Sequence, residues 1–353
     1  MYLGQENYFF TKGRTIMKHT MISYLKKAVA GLVAAASLLL LASCAGQNTG
    51  KKKYTVAIGQ FGEHGSLDNC RLGFIEGLRQ EGFVEGENVT FVYKNASFDT
   101  SLTTSISQGF ASDKVDLICA IATPMAQAAF NAASDADIPV VFTAITDPEG
   151  AGLTKGNVTG TSDLLPVEAQ LSTIRTFLPD AKKIGILYTT SEPNSLYTIA
   201  QYKKLADKFG FEIVEKGVTA ASDVPLAAQA IIDEVDCLSN LTDNTVVGML
   251  DALLDIANSA GKPIFGSEIE QVKKGCVAGE GLEYYQLGIQ TGKMAAKILR
   301  GDSKASDMNY ETVTDNYLYI NKNALSALNL TLPESLSSRA IDALTYTNGQ
   351  ETK

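Results

Sequence analysis

The side chains able to do chemistry are few and unevenly placed. Cys44 follows Leu41-Ala42-Ser43 at the end of an apolar run of 14 residues, Ala28 to Leu41, which itself follows Lys26-Lys27. A positive pair, an apolar stretch and small residues at its end have the layout of a secretory leader. The run is too short to cross about 30 Å of hydrocarbon comfortably. The residues before Met17 have no leader character, so Met17 or Met21 is the expected start. Only two histidines exist, His19 and His64, and His19 lies in the leader. One histidine cannot build a multi-His metal site, and His64 alone would have to serve as the base of a serine hydrolase. No dinucleotide fingerprint follows a strand and no phosphate-binding loop is present. The expectation is a non-enzyme with no catalytic residue, no metal and no cofactor.

What remains is a set of polar groups that the chain's pattern places at strand ends. From Tyr54 onward, strand and helix alternate. The spacing predicts strands at Tyr54 to Gln60, Asn88 to Lys94, Asp116 to Ile121 and Ile138 to Ala144. Between them it predicts helices at Ser66 to Gln80, at Asp99 to Ser112 with Asp99 as N-cap, and from Pro124 to Ala133. The same grammar restarts: helices at 166–178, 195–209, 223–235 and 244–260, with strands at 183–188, 211–217, 236–241, 263–265 and around Val277. A long helix, Tyr284 to Arg300, ends at Gly301, and a late strand covers Tyr317 to Ile320. Alternation of this kind means an α/β fold with two doubly wound parallel sheets. Ligands in such sheets sit beyond the strand C-termini. That rule selects Gln60 to Leu67, Thr123, Thr143 to Asp147, Thr189 to Ser195, Thr242 to Asn244 and Ser267-Glu268. Hydroxyls at helix N-termini suit a carboxylate, and strand-end acids suit an ammonium group.

Bulk properties agree with a chain of two domains. Removing residues 1–43 leaves 310 of 353, more than one ordinary core accommodates. Residues 44–53 are small and polar and read as a flexible tether. The net charge is −9, and the leader carries five Lys/Arg against Glu6 alone, so the remainder is near −13. Such a surface argues against nucleic acid and against broad contact with anionic lipid. Cys70, Cys119, Cys237 and Cys276 show no metal spacing, and four free thiols are expected.

Two resemblances sharpen this. Leu41-Ala42-Ser43-Cys44 resembles the lipobox of bacterial lipoproteins, which implies a lipidated (palmitate-bearing) Cys44 as the new N-terminus and an anchor in the cell membrane, facing outward. Gln60-Phe61-Gly62-Glu63-His64-Gly65-Ser66-Leu67-Asp68 is similar to the first strand-end loop of the ABC transporter substrate-binding proteins associated with tryptophan and tyrosine uptake. Agreement continues at Ala122 to Gln127, Val141 to Pro148, Gly150 to Leu153, Asn157 to Asp163, Thr242 to Val246 and Tyr284 to Gly288. It covers about Tyr54 to Leu332. The family implies a type I periplasmic-binding-protein fold: two lobes joined by three crossings, expected near Ser162, Gly281 and Ser303. Lobe one would be 54–162 with 284–303, and lobe two 163–283 with 304–344. Departures from the family pattern include Gly65 for a common proline and Glu268 for a common aspartate.

The resemblance implies capture of a small amino acid, aromatic by preference (tryptophan, tyrosine or phenylalanine), by hinge closure. Partners would be an ABC permease and its ATPase subunit, the receptor itself being a monomer. Substrate-binding roles are expected for Gln60, Glu63, Leu67, Thr123, Thr143, Ala144, Asn194, Ser195, Asp243, Glu268 and Tyr285. Thr123, Asn194 and Ser195 would hold the carboxylate, Asp243 and Glu268 the ammonium, and Tyr285 would stack on an aromatic ring. Each also has a plainer role open to it: capping for Thr123, Ser195 and Asp243, and hinge packing for Tyr285. Rival ligands are branched-chain amino acids, sugars and other small solutes. Rival functions are a surface adhesin or a sensory receptor on the same fold.

Overall fold

The structure, a computed structural model, describes residues 52–347. The expected leader, the lipidation site Cys44 and nearly all of the tether lie outside the described residues.

The first lobe runs β1 (Tyr54–Gln60), α1 (Gly65–Gln80), β2 (Val89–Asn95), α2 (Thr100–Ser112), β3 (Leu117–Ile121), α3 (Thr123–Ala133), β4 (Val140–Ile145) and β5 (Val158–Ser162). β1 pairs in parallel with both β2 and β3, and β4 and β5 extend the sheet beyond β3. β3 and β4 are buried along their whole length. A parallel strand covered on both faces has no solvent side, which is why these segments are continuous apolar runs. Asp99 caps α2 by accepting from Leu102 N at 2.9 Å. The sequence pattern missed β5, Val-Thr-Gly-Thr-Ser, because its polar letters look like a loop. Every residue of it is buried, and Thr161 Oγ1 meets Thr291 Oγ1 at 2.7 Å.

The second lobe follows with α4 (Val167–Phe177), β6 (Lys183–Thr189), α5 (Pro193–Ala206), β7 (Glu212–Val218), α6 (Val224–Ile231), β8 (Cys237–Ser239), α7 (Asn244–Gly248), α8 (Leu250–Ser259), β9 (Ile264–Gly266), α9 (Ile269–Lys274) and β10 (Ala278–Gly281). The single helix expected over 244–260 is two, broken at Met249, whose φ of −107° leaves the helical range. The six-residue α9 was not expected at all. β6 shows how the sheet divides the lobe: Ile184 and Ile186 join the apolar cluster on one side and Leu187 the cluster on the other.

α10 (Tyr284–Arg300) then returns to the first lobe and packs on α1. Glycine permits the contact. A Cβ on Gly73 would come within 2.1 Å of Tyr285 O, and one on Gly292 within 2.3 Å of Phe74 O. The two helices therefore touch backbone to backbone. The chain finishes with β11 (Glu311–Thr312), β12 (Tyr317–Ile320), α11 (Lys322–Ala327), α12 (Glu334–Ser337) and β13 (Ala340–Asp342).

The sheets have the orders β11-β5-β4-β3-β1-β2 and β13-β12-β10-β9-β8-β6-β7. All pairings are parallel except β10 with β12. Three segments connect the two sheets: 163–166, 282–283 and 313–316. The third departs from expectation. The resemblance implies it near Ser303, but β11 still pairs with β5, so the crossing falls after Thr312. Two residues of isolated strand carry too little pattern to be seen in sequence. Cys70, Cys119, Cys237 and Cys276 are all unpaired and buried.

Candidate functional site

Strand tips from the two lobes meet around a small cavity beside the crossings. His64, Ser66, Leu67, Ala144 and Thr146 line it from the first lobe. Asn194, Thr242, Asn244, Val247 and Gln271 line it from the second, and Asp163 and Tyr284 close it at the hinge. It encloses about 310 Å³ of empty space and is narrow enough to take a single water-sized group. That is room for one small polar group. A wider opening, with about 1340 Å³ of empty space, lies between the lobes elsewhere, with Phe61, Phe98 and Pro124 on one side and Thr189, Glu192 and Thr245 on the other. Phe61 and Phe98 stand edge to face there, 5.8 Å between centroids.

Local backbone strain aims two strand ends at this region. Ala122, at the end of β3, has φ 78°, and Ala144, in β4, has φ 58°. A residue with a Cβ holds such a conformation at a cost of about 1–3 kcal/mol. The β4–β5 register shifts between Phe142 and Ile145, a bulge that turns Ala144 to the cavity wall.

The charged and polar groups divide into satisfied and unsatisfied. Asp163 accepts from Thr146 Oγ1 at 3.0 Å and from Tyr284 OH at 2.6 Å. Burial pushes its carboxyl above the ordinary range. Among the described residues no lysine or arginine pairs with it. His64 Nε2 lies 3.4 Å from Asn244 Oδ1, and burial lowers the imidazole to about 4. His64 Nδ1 and Asn194 Oδ1 are buried with no hydrogen-bond partner. Outside the cavity wall, Gln60 Oε1 and Thr123 Oγ1 are in the same condition. Buried polar atoms in folded proteins are nearly always paired, so a cluster of orphans marks a place where something else supplies the partners.

Of the residues expected to bind substrate, Leu67, Ala144 and Asn194 line the cavity. Gln60 is fully buried, and its Nε2 donates to Gly62 O and Asp68 Oδ1, leaving Oε1 open. Thr123 is the first residue of α3, beside Pro124 in the wall of the wider opening. The others are placed differently. Asp243 accepts from Thr189 N and Oγ1, from Ser195 Oγ and from Val246 N. It is wholly buried, and these bonds make it a cap that ties β6, α5 and α7 together. Ser195 Oγ is a donor in that network. Glu268 caps α9 through Glu270 N and Gln271 N, and burial lifts it to about 7. Thr143 Oγ1 is engaged with Cys70 Sγ and Thr161 Oγ1. Glu63 is exposed. Tyr285 faces the electrostatic neighbourhood of Glu76 and Arg79 on α1, and its neighbour Tyr284 is the one at the cavity. Nine wall residues fall outside the expected set: His64, Ser66, Thr146, Asp163, Thr242 and Asn244 stand in or beside the strand-end loops or at the crossing, and Val247, Gln271 and Tyr284 come from α7, α9 and α10. The strand-end rule reached the loops, and only the hydrogen bonds separate wall from scaffold. Among the described residues no group of three His, Cys, Asp or Glu is placed to hold a metal.

The lobes touch across the gap. Asn69 Nδ2 donates to Glu270 Oε1 at 3.1 Å, Ser66 hydrogen-bonds Glu268, and a Cβ on Gly65 would meet Glu270 Cβ at 2.9 Å. Two lobes on a three-segment hinge, closed over a polar cavity, define a clamp-type solute-binding protein.

Residues 55–344 match the family model described as ABC transporter substrate binding protein, and the chain belongs to that family. It is a family of binding proteins rather than enzymes. The Clostridioides difficile "Tyrosine-binding protein" is 40% identical over 286 residues, covering 79% of this chain and 82% of its own. A Streptococcus pneumonia ABC domain solved in complex with L-Trp is 31% identical, with a TM-score of 0.79, covering 82% of this chain and 100% of its own. The ligand-free, open structure of a Clostridium difficile substrate binding protein with adhesive properties is 40% identical. Its TM-score is 0.61, with 82% and 99% covered. The more similar sequence superposes less well. The difference runs with lobe arrangement, since the lobes of this chain meet as a closed clamp does.

Proposed function

We propose that this protein is the extracytoplasmic receptor of an ABC importer and that it captures an aromatic amino acid in the interlobe cleft. The observation that carries the reading is the set of unpartnered buried polar atoms, Asn194 Oδ1 and His64 Nδ1, contributed by opposite lobes to one cavity. A ligand bonded to both lobes stabilises only the closed arrangement, which is what couples capture to closure. Asp163 faces the ammonium group, and Thr123 and the first turn of α3 face the carboxylate. The wider opening beside Phe61 and Phe98 takes the ring. The tyrosine-binding and L-Trp-bound relatives support the ligand class. The closed protein is presented to a permease and its ATPase subunit, from a position held by lipid on Cys44.

The test is thermal melting of the purified full chain with a panel of amino acids and sugars. A ligand at about 100 times its dissociation constant adds about 2.7 kcal/mol. Tryptophan, tyrosine or phenylalanine should raise the melting temperature, and leucine, isoleucine and sugars should not. Absence of any shift with the three aromatic amino acids overturns the reading. A second reading, surface adhesion, is favoured by the adhesive relative. Retention of the ligand-free protein on host matrix, unaffected by the aromatic amino acids, would support it.

A further inference from the structure

Glu192 stood outside every expected role, yet it organises the cavity wall. Its carboxylate, 2% exposed, accepts from Asn244 N, Asn244 Nδ2, Thr245 N, Thr245 Oγ1 and Asn194 Nδ2, at 2.6 to 3.2 Å. Five donors and no acceptor surround it, so it acts as the anion, although burial and the neighbouring Asp243 raise it to about 7. The consequences pass outward in order. Asn194 must turn its NH2 toward Glu192 and Thr242 O, which leaves Oδ1 facing the cavity. Asn244 must turn its NH2 toward Glu192 as well, which presents Oδ1 to His64 Nε2. That carbonyl oxygen requires a proton on Nε2, and a neutral ring then carries its lone pair on Nδ1. One buried anion thus sets two amide orientations and one tautomer.

The outcome is a set of three acceptors in the cavity wall. Asn194 Oδ1 from the second lobe, His64 Nδ1 from the first and the carboxylate of Asp163 at the hinge are all acceptors. They border a space that admits one water-sized group. A group of that size with several donors and a positive charge is an ammonium.

We propose that Glu192 is the positioning residue of an ammonium-selective subsite, made of Asn194, His64 and Asp163, that requires a free primary amine on the ligand. This rests on the reading of the cleft as an amino-acid site. It adds that the amine, held by both lobes at once, is the group that reports ligand identity to the hinge. The other two strand-end acids suited to that task, Asp243 and Glu268, are both occupied by internal donors.

The experiment is calorimetric titration of the full chain with L-tryptophan, L-tyrosine and their desamino analogues, indole-3-propionate and 3-(4-hydroxyphenyl)propionate. The wild type should prefer the amino acids by at least about 100-fold, since the analogues leave Asn194 Oδ1 and His64 Nδ1 unpaired and give Asp163 no counter-charge. Glu192→Gln places an NH2 among five donors and should release Asn194 and Asn244. It should cut amino-acid affinity at least tenfold while leaving that for the analogues within about threefold. Glu192→Asp, which keeps the anion, should recover part of the preference. Melting of the ligand-free variants separates this from misfolding, because a merely structural role would weaken both ligand sets together. Equal binding of amino acids and analogues by the wild type overturns the subsite but leaves an aromatic-solute receptor standing. Binding of neither overturns both. An unchanged preference in a folded Glu192→Gln protein overturns the role of Glu192.

Discussion

Two groups of acids stand at the tips of the strands, and they behave in opposite ways. Asp243 and Glu268 in the second lobe have their oxygens filled by backbone amides and hydroxyls of their own lobe or, for Glu268, by Ser66 across the gap. Asp163 at the hinge bonds two hydroxyls and borders a cavity with unpartnered neighbours. All three are buried carboxylates without a cation, and by residue type they are interchangeable. What separates them is whether their hydrogen-bonding capacity is already used. A saturated carboxylate holds the scaffold. An unsaturated one, beside orphaned acceptors, is the one the proposed site uses to take a donor from the ligand.

The contrast can be broken most forcefully at Asp243. Asp243→Ala leaves the amides of Thr189 and Val246 and the hydroxyl of Ser195 buried without an acceptor. It should destabilise the fold by about 3 kcal/mol, read by urea or thermal unfolding. An Asp243→Ala protein as stable as the wild type and deficient only in ligand binding would return Asp243 to the site. Asp163→Asn is the counterpart. It should bind L-tryptophan and L-tyrosine about 10- to 100-fold more weakly, by loss of a charge-assisted bond, with a melting point close to that of the wild type. A large loss of stability with intact affinity would place Asp163 among the scaffold acids.

His64 sharpens the comparison through pH. Closure holds its imidazole at about 4 by burial, against 6.5 for the free group. The groups facing it are Asn244 on α7, Asp68 on α1 and Lys274 on α9. A depressed histidine makes the closed state gain stability as pH rises and lose it as pH falls below about 6.5 toward 4. Affinity should therefore drop about tenfold between pH 7.5 and 5.5. The buried Glu192 and Glu268, raised to about 7, titrate in the opposite sense. The difference between wild type and His64→Gln isolates the imidazole. If both proteins show the same pH profile, closure does not depend on a neutral ring. The smallest effect is expected at Ser195→Ala. Losing one bond to Asp243 should cost about 1 kcal/mol of stability with affinity unchanged, where a carboxylate-binding serine would lose affinity first.

The fold was largely legible in the chain. Apolar runs bounded by turns located the main parallel strands, and Pro124, Asp99 and Gly301 marked helix ends through capping chemistry that acts within a few residues. The misses share a cause. β5 is written in hydroxyl residues whose partners, such as Thr291, are more than a hundred positions away. β11 is two residues long, and α9 is a single short turn anchored by Glu268. None of these has a local pattern to read.

For the site, the sequence by itself determined which loops could hold a ligand, because the C-terminal ends of parallel strands follow from the alternation of strand and helix. It also determined, through the motifs from Gln60 to Asp68 and from Thr242 to Val246, the family to which the chain belongs. Which polar side chain within those loops is spent and which is free was decided only by the tertiary structure. Hydrogen bonding is a pairing of groups brought together from distant positions, as Glu192 is with Asn244 and Asn244 with His64. A carboxylate's partners cannot be assigned until the fold has chosen its neighbours.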